Sequence, residues 1–207
     1  MCAFVIAMEC EADAVRQSLG PDDRLYVSGI GKVNAAAAAQ RAICDGATEI
    51  WNAGLCGGFG DVEVCGVYGV GRAVEYDFDL AKLNGTAVGV LDEMDTPYIQ
   101  LSKVPDVEMH IPGFGGWKTL ATGDRFNDSE ADYELITHIL GASLRDMEGA
   151  AIAHVCMKCG VPCFSLKCVT NVAGLGSMTG QYCNNRERAL ARLRSAVMGI
   201  SGCWQGN

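Results

Sequence analysis

The sequence predicts an α/β fold, a three-layer αβα sandwich around a central mixed sheet. Three observations carry that expectation. Short apolar runs alternate with helical stretches at both ends of the chain, as strands joined by crossover helices do. The middle is strand-rich instead, which makes the sheet mixed rather than purely parallel. No repeat, linker or low-complexity tract interrupts the 207 residues, so 1–207 reads as one domain.

Residues 3–7 form a short apolar run, a first buried strand. A helix is expected over 11–19, stopped by Gly20-Pro21. Residues 25–28 form the second strand. The sharp turn Gly29-Ile30-Gly31 then leads into an alanine-rich helix over 33–44, with Val33, Ala36, Ala39 and Ile43 on one face. A third strand, 49–53, runs into Gly54-Leu55-Cys56-Gly57-Gly58. In the middle, 62–70, 73–76 and 86–91 suit strands, with Asn84-Gly85 as a turn before the last. Residues 92–116 hold three of the 5 prolines and little periodicity, so they read mostly as loop. A strand over 117–122, a helix over 128–140, a brief strand over 143–145 and a helix over 148–159 follow. Gly160 ends that helix. A strand over 161–169 and a last helix over 185–200 close the pattern. In the last helix Leu190, Leu193, Val197 and Ile200 recur at helical spacing.

The formal net charge is -9, and no Lys/Arg cluster offers a footprint for nucleic acid. No apolar run is long enough to cross a bilayer, so no membrane partner is expected. The first residues lack a basic stretch and turn acidic, which reads as a buried strand rather than a signal peptide. The cysteine count, 11, is odd, and most lie in apolar runs. Reduced core thiols in a cytoplasm are the expectation. Cys156-x-x-Cys159 followed by Cys163 and Cys168 is an imperfect metal pattern, split between a helix and the next strand, and no metal is assigned. No cofactor is assigned either.

Gly29-Ile30-Gly31-Lys32 has neither the spacing of an ATP phosphate loop nor the final glycine of a dinucleotide fingerprint, where Asn34 stands. It is either an anion-accepting helix start or a plain tight turn. The glycines of 54–58, at a strand end, permit a ligand to approach the backbone.

Six segments, taken in order, resemble the nucleoside phosphorylase and nucleosidase superfamily. They are Ala7-Met8-Glu9-Cys10-Glu11, 28–36, 52–58, Thr122-Gly123-Asp124-Arg125-Phe126, Asp146-Met147-Glu148-Gly149, and 161–171. The nearest branches are the bacterial 5'-methylthioadenosine/S-adenosylhomocysteine nucleosidases and the futalosine hydrolases. The resemblance implies a purine nucleoside as ligand, hydrolysis of its N-glycosidic bond, and a homodimer. It implies Glu11 as the water-activating carboxylate, with Glu9 the in-register competitor. A solvated first-turn acid is the alternative for Glu11. Glu148 with Met147 would grip the ribose, and Met8 would lie near the sugar. Phe126 would stack on the purine, or else pack in the core. Gly57 would line the substrate wall, and the backbone of Asn127 would face the Watson–Crick edge.

At Asn171 the adenine-specific nucleosidases carry aspartate. Asparagine offers an amide donor and no acidic proton. Its donor suits N7 and a 6-oxo group, which directs the expectation toward a 6-oxopurine nucleoside such as futalosine or inosine. Leu55 and Lys167 also depart from the pattern, standing where serine and arginine are usual. The arginines a phosphorylase would place around phosphate are missing, so water is the expected nucleophile. A phosphorylase, an adenine nucleosidase and a non-catalytic nucleoside-binding protein are the alternatives.

Overall fold

Consecutive buried residues form β1 (Cys2–Ile6). A computed structural model describes residues 1–126 and 129–204. After β1 come α1 (Glu9–Arg16), β2 (Arg24–Val27), α2 (Lys32–Cys44), β3 (Glu49–Gly58) and β4 (Val67–Glu75). Next are α3 (Ala81–Asn84), β5 (Ile99–Gln100), α4 (Val107–His110), β6 (Phe114–Thr122) and α5 (Glu130–Glu134), which continues as a π-type turn over Leu135–Ile139. The chain ends with β7 (Leu144–Asp146), α6 (Gly149–Cys159), β8 (Cys163–Val172) and α7 (Met178–Trp204).

Among the described residues 8 strands form one mixed sheet, ordered β2-β1-β3-β7-β6-β4-β5, with β8 bridging β3 and β4. β1 runs parallel to β2 and β3, and β3 parallel to β8. β4 is antiparallel to β8 but parallel to β6, and β6 is parallel to β7. β7 then pairs antiparallel with the end of β3, so the centre of the sheet closes on itself. That closure gathers the ends of β3, β7 and β8 at one point.

Helices cover both faces, as the alternation predicts. Ala35, Ala39 and Ala42 of α2 pack with Ile152, Ala153 and Cys156 of α6 in one core. On the other face Ala12 and Val15 of α1 meet Leu193, Val197 and Ile200 of α7. The expected apolar spacing of the last helix therefore holds, but the helix starts earlier, at Met178. The expected shared face of α2 holds at Ala39 and Ile43, which pack in the core, but not at Val33, which is 80% exposed while Ala35 and Ala42 are buried. In a run of alanines every face is equally apolar, so periodicity cannot set the rotation.

The middle also differs from its sequence reading. The strands expected over 62–70 and 73–76 are one strand, β4, with a register irregularity at Gly71. The strand expected over 86–91 is a loop. Gly89 sits there at φ +81° against Val74, a position without space for a side chain. Gly85, at φ +76°, caps α3 rather than turning a hairpin. Within 92–116, β5 and α4 are short elements in an otherwise irregular stretch. Among the described residues, no helix is long and apolar enough to cross a membrane.

Candidate active site

A cleft of about 430 Å³ opens where β3, β7 and β8 converge. Met8, Glu11, Gly57, Phe126, Met147, Glu148 and Asn171 all line it. Every described residue that the sequence reading placed at the site is therefore brought together. Asn127 lies outside the described residues.

Glu11 enters from the first turn of α1 and is 3% exposed, whereas Glu9 faces solvent beside Arg16. Glu11 Oε1 accepts from the Leu55 backbone N–H at 2.7 Å, and Oε2 from that of Met8 at 3.0 Å. Each carboxylate oxygen can accept more than one bond, so both retain capacity for a further donor. Burial pushes the Glu11 carboxyl above its ordinary range. The Leu55 N–H, Lys167 and the Met8 N–H oppose that without cancelling it. A Cβ on Gly54 would sit 2.9 Å from Glu11 Oε1, so the strand must be bare there for the carboxylate to lie against it.

Beneath Glu11 lies a fully buried ion pair. Lys167 Nζ meets Asp146 Oδ2 at 2.8 Å, with both side chains 2% exposed. Asp146 also accepts from the Thr122 hydroxyl at 2.5 Å and from the Gly149 N–H at 2.9 Å. Burial works against the Lys167 charge, but Asp146, Glu148 and Glu11 outweigh it and hold the ammonium above its usual range. Lysine here thus carries a buried cation to three carboxylates.

Glu148, at the N-terminus of α6, is 8% exposed, and its Oε1 accepts from the Gly31 N–H at 2.9 Å. The Gly29-Ile30-Gly31 turn is thereby given a partner in the site. Burial, and secondarily Asp146, raise the Glu148 carboxyl to about 7. Lys32, next to that turn, is anchored to Glu75 at 3.0 Å and Asp77 at 2.6 Å, which fixes the start of α2.

Asn171 ends β8. Its Oδ1 lies 2.8 Å from the Thr170 hydroxyl, whose single proton is shared with the Cys56 carbonyl oxygen at 3.2 Å, and its amide nitrogen faces Gly57. A Cβ on Gly57 would sit 3.1 Å from that nitrogen. Phe126 is 54% exposed and meets Tyr182 edge-on at 6.1 Å, so it is a cleft wall rather than core. The Tyr182 hydroxyl reaches the Met8 sulfur at 3.9 Å.

Several lining residues were not read from the sequence. Tyr182 and Thr179 belong to the first turns of α7, which begins before its apolar spacing does. Arg145 reaches the cleft from β7, next to the Asp146-Met147-Glu148 segment. Its position in register with Gly57 is set by strand pairing, which no local pattern displays.

The arrangement holds two carboxylates and an amide donor around a hollow of nucleoside size. Known proteins share the chain's sequence family and its fold. Residues 117–199 match the family model described as "Phosphorylase superfamily". The aminodeoxyfutalosine nucleosidase of Campylobacter jejuni is 31% identical over 157 residues, covering 72% of this chain and 68% of the relative. The 5'-methylthioadenosine/S-adenosylhomocysteine nucleosidase of a Marinomonas species is 29% identical over 169 residues, covering 75% and 70%. Among solved structures, futalosine hydrolase of Helicobacter pylori superposes with a TM-score of 0.87 at 20% identity, covering 96% of each chain. A methylthioadenosine/S-adenosylhomocysteine nucleosidase of Colwellia psychrerythraea in complex with adenine gives 0.87 at 23% identity, covering 97% of this chain and 94% of that one. At these identities the structural likeness is one of fold.

Proposed function

The chain belongs to the nucleoside phosphorylase/nucleosidase superfamily, and on that footing we propose that it hydrolyses the N-glycosidic bond of a purine nucleoside and releases the free base. The observation that carries this reading is the meeting of Glu11, Glu148 and Asn171 on one cleft.

In this reading Glu11 takes a proton from water as the water oxygen bonds to C1' of the sugar. The bond from C1' to the base nitrogen breaks, and its electron pair leaves with the base. The base gains a proton on release. Glu148 accepts hydrogen bonds from the vicinal sugar hydroxyls, with Met147 and Met8 as apolar walls. Such contacts strengthen as the sugar flattens toward an oxocarbenium-like state. Phe126 stacks on the base, and the Asn171 amide donates to it.

Asparagine has no proton to transfer, so the base must leave with its charge held by donors. A 6-oxopurine meets that condition better than adenine, which favours a nucleoside of the futalosine or inosine kind. A second reading, an adenine nucleoside of the methylthioadenosine or adenosylhomocysteine kind, draws support from the names of some of the curated relatives, while another is an aminodeoxyfutalosine nucleosidase.

Incubation with methylthioadenosine, adenosylhomocysteine, inosine and futalosine, each with and without phosphate, tests the reading by separating free base from nucleoside. Free base without phosphate is the expected result. No base from any substrate would end the enzyme reading, and phosphate-dependent sugar phosphate would end the hydrolase reading.

A further inference from the structure

Asp77 lies two residues beyond β4 and does not line the cleft, but both of its oxygens lead there. Its side chain is 13% exposed. Oδ1 accepts from Lys32 Nζ at 2.6 Å, and Oδ2 accepts from the Asp124 backbone N–H at 3.0 Å. Each contact continues into a different wall. Lys32 follows Gly31, whose N–H donates to Glu148. Asp124 stands two residues before Phe126. The branches also join each other, because Asp124 Oδ1 accepts from the Lys32 N–H at 2.8 Å. Gly31 sits at φ +101°, where glycine is favoured, and has no side chain to anchor it; a Cβ there would lie 3.1 Å from Asp124 Oδ1. Gly123 is bare for a matching reason: a Cβ would meet the Tyr76 ring at 2.5 Å and Asp77 Cγ at 3.1 Å. Glu75 shares the Lys32 ammonium, but among the described residues only Asp77 holds both that ammonium and the Asp124 N–H.

We propose that Asp77 is a positioning residue that places the sugar grip and the base wall together, setting the Gly31 N–H on Glu148 through Lys32 and the loop that carries Phe126 through Asp124. An ionised carboxylate suits this role because it accepts on both oxygens, and its bonds to an ammonium and a backbone N–H are of the stronger, charge-assisted kind. Asparagine has the same shape but one acceptor, so its amide would turn a donor toward one of the two donors now held. Lys32→Met removes only the branch through the ammonium and spares the one to Asp124. Asp77→Ala removes both. The proposal rests on the nucleosidase reading, which gives the sugar hydroxyls to Glu148 and the base to Phe126, and deepens it by naming what aligns the two.

The test is calorimetric and is made in a Glu11→Gln background, which slows cleavage while nucleosides bind. Inosine is compared with 2'-deoxyinosine, and adenosine with 2'-deoxyadenosine, to read the worth of one sugar hydroxyl. Free hypoxanthine and adenine read the base wall alone. Without a change at Asp77, the hydroxyl should tighten binding on the order of 10-fold or more, the weight of a hydrogen bond to a charged group. In Asp77→Ala that ratio should fall to about twofold or less, and free-base affinity should drop roughly 3- to 10-fold as the stacking ring shifts. Lys32→Met should lower the hydroxyl ratio and leave free-base affinity within about threefold, the size of an incidental substitution. Equal weakening of the ribo and deoxy nucleosides would assign Asp77 a merely structural role and overturn the proposal. A change in only one of the two readouts in Asp77→Ala would overturn the claim that one residue sets both walls. Should Asp77→Ala not fold, an unchanged hydroxyl ratio with unchanged base affinity in Asp77→Asn would also overturn it. Release of free base by wild type is scored separately. If wild type releases none while Asp77→Ala still erases the hydroxyl preference and weakens the base, the hydrolase reading fails and the assignment of Asp77 stands.

Discussion

At one end of the cleft stand Glu11 and Glu148, and at the other Asn171 and Arg145. The two ends are held by different means. Backbone N–H groups of Met8, Leu55 and Gly31 grip the carboxylates, on strands and helix starts that cannot shift far. Side chains hold the opposite end: the Thr170 hydroxyl on Asn171, the Phe59 ring and the Met178 sulfur on Arg145. Their chemistry is also opposite, acceptors facing donors. In the proposed reaction, water and sugar hydroxyls would bring protons to the acceptor end, and a departing base would bring lone pairs to the other. Backbone-held groups suit the end where reacting atoms must be placed closely, because small displacements there carry large rate penalties. Side-chain-held groups suit the end where substrates differ.

The largest expected effect comes from removing the cation under the carboxylate end. Lys167→Met leaves Asp146 buried without its ion partner and should cost about 3–5 kcal/mol in urea unfolding, since a buried charge stripped of its mate is poorly tolerated. A loss below about 1 kcal/mol, the worth of an exposed pair, would show that the pair is not the support described.

Glu148 makes the carboxylate end sensitive to pH even without substrate. Its folded value, about 7, lies above the ordinary 4.5, so the folded protein holds this proton more tightly than the unfolded chain. The stability tied to that proton is fully present below 4.5 and is lost as pH rises to about 7. Relative to wild type, Glu148→Gln should therefore gain thermal stability as pH rises across that interval. Parallel Tm curves for the two proteins would contradict the assignment.

Gly54→Ala asks whether backbone placement matters for rate. The new Cβ would fall 2.9 Å from Glu11 Oε1, and the carboxylate must yield. Turnover should drop on the order of 10- to 100-fold, with the fold intact by circular dichroism. Unchanged turnover would mean that Glu11 need not lie against β3. Asn171→Asp probes the donor end and should show the smallest change. The ratio of 6-amino to 6-oxo cleavage should rise about tenfold, because a carboxylate replaces a donor with acceptors. An unmoved ratio would detach base choice from this position.

The contrast between the ends also explains what could be read from the sequence. Glu11, Glu148 and Asn171 were legible because each sits in a short motif and the motifs occur in family order. Alternating strands and helices made the layered fold legible for the same reason, through local pattern. Arg145 and the partnership of Lys167 with Asp146 were not legible, because they depend on which strands close the sheet. The phase of α2 was hidden by its alanines. The loop over 86–91 was hidden because an apolar run satisfies strand and buried loop alike, and only the crowding of Gly89 against Val74 decides between them.

The central claim is that the carboxylate end does chemistry while the other end recognises. Turnover and substrate affinity of Glu11→Gln, measured side by side, test it most directly. Turnover should fall roughly 1,000-fold, the weight of a lost general base, while the dissociation constant moves by less than about threefold. Turnover within about tenfold of wild type, or a loss confined to binding, would contradict it.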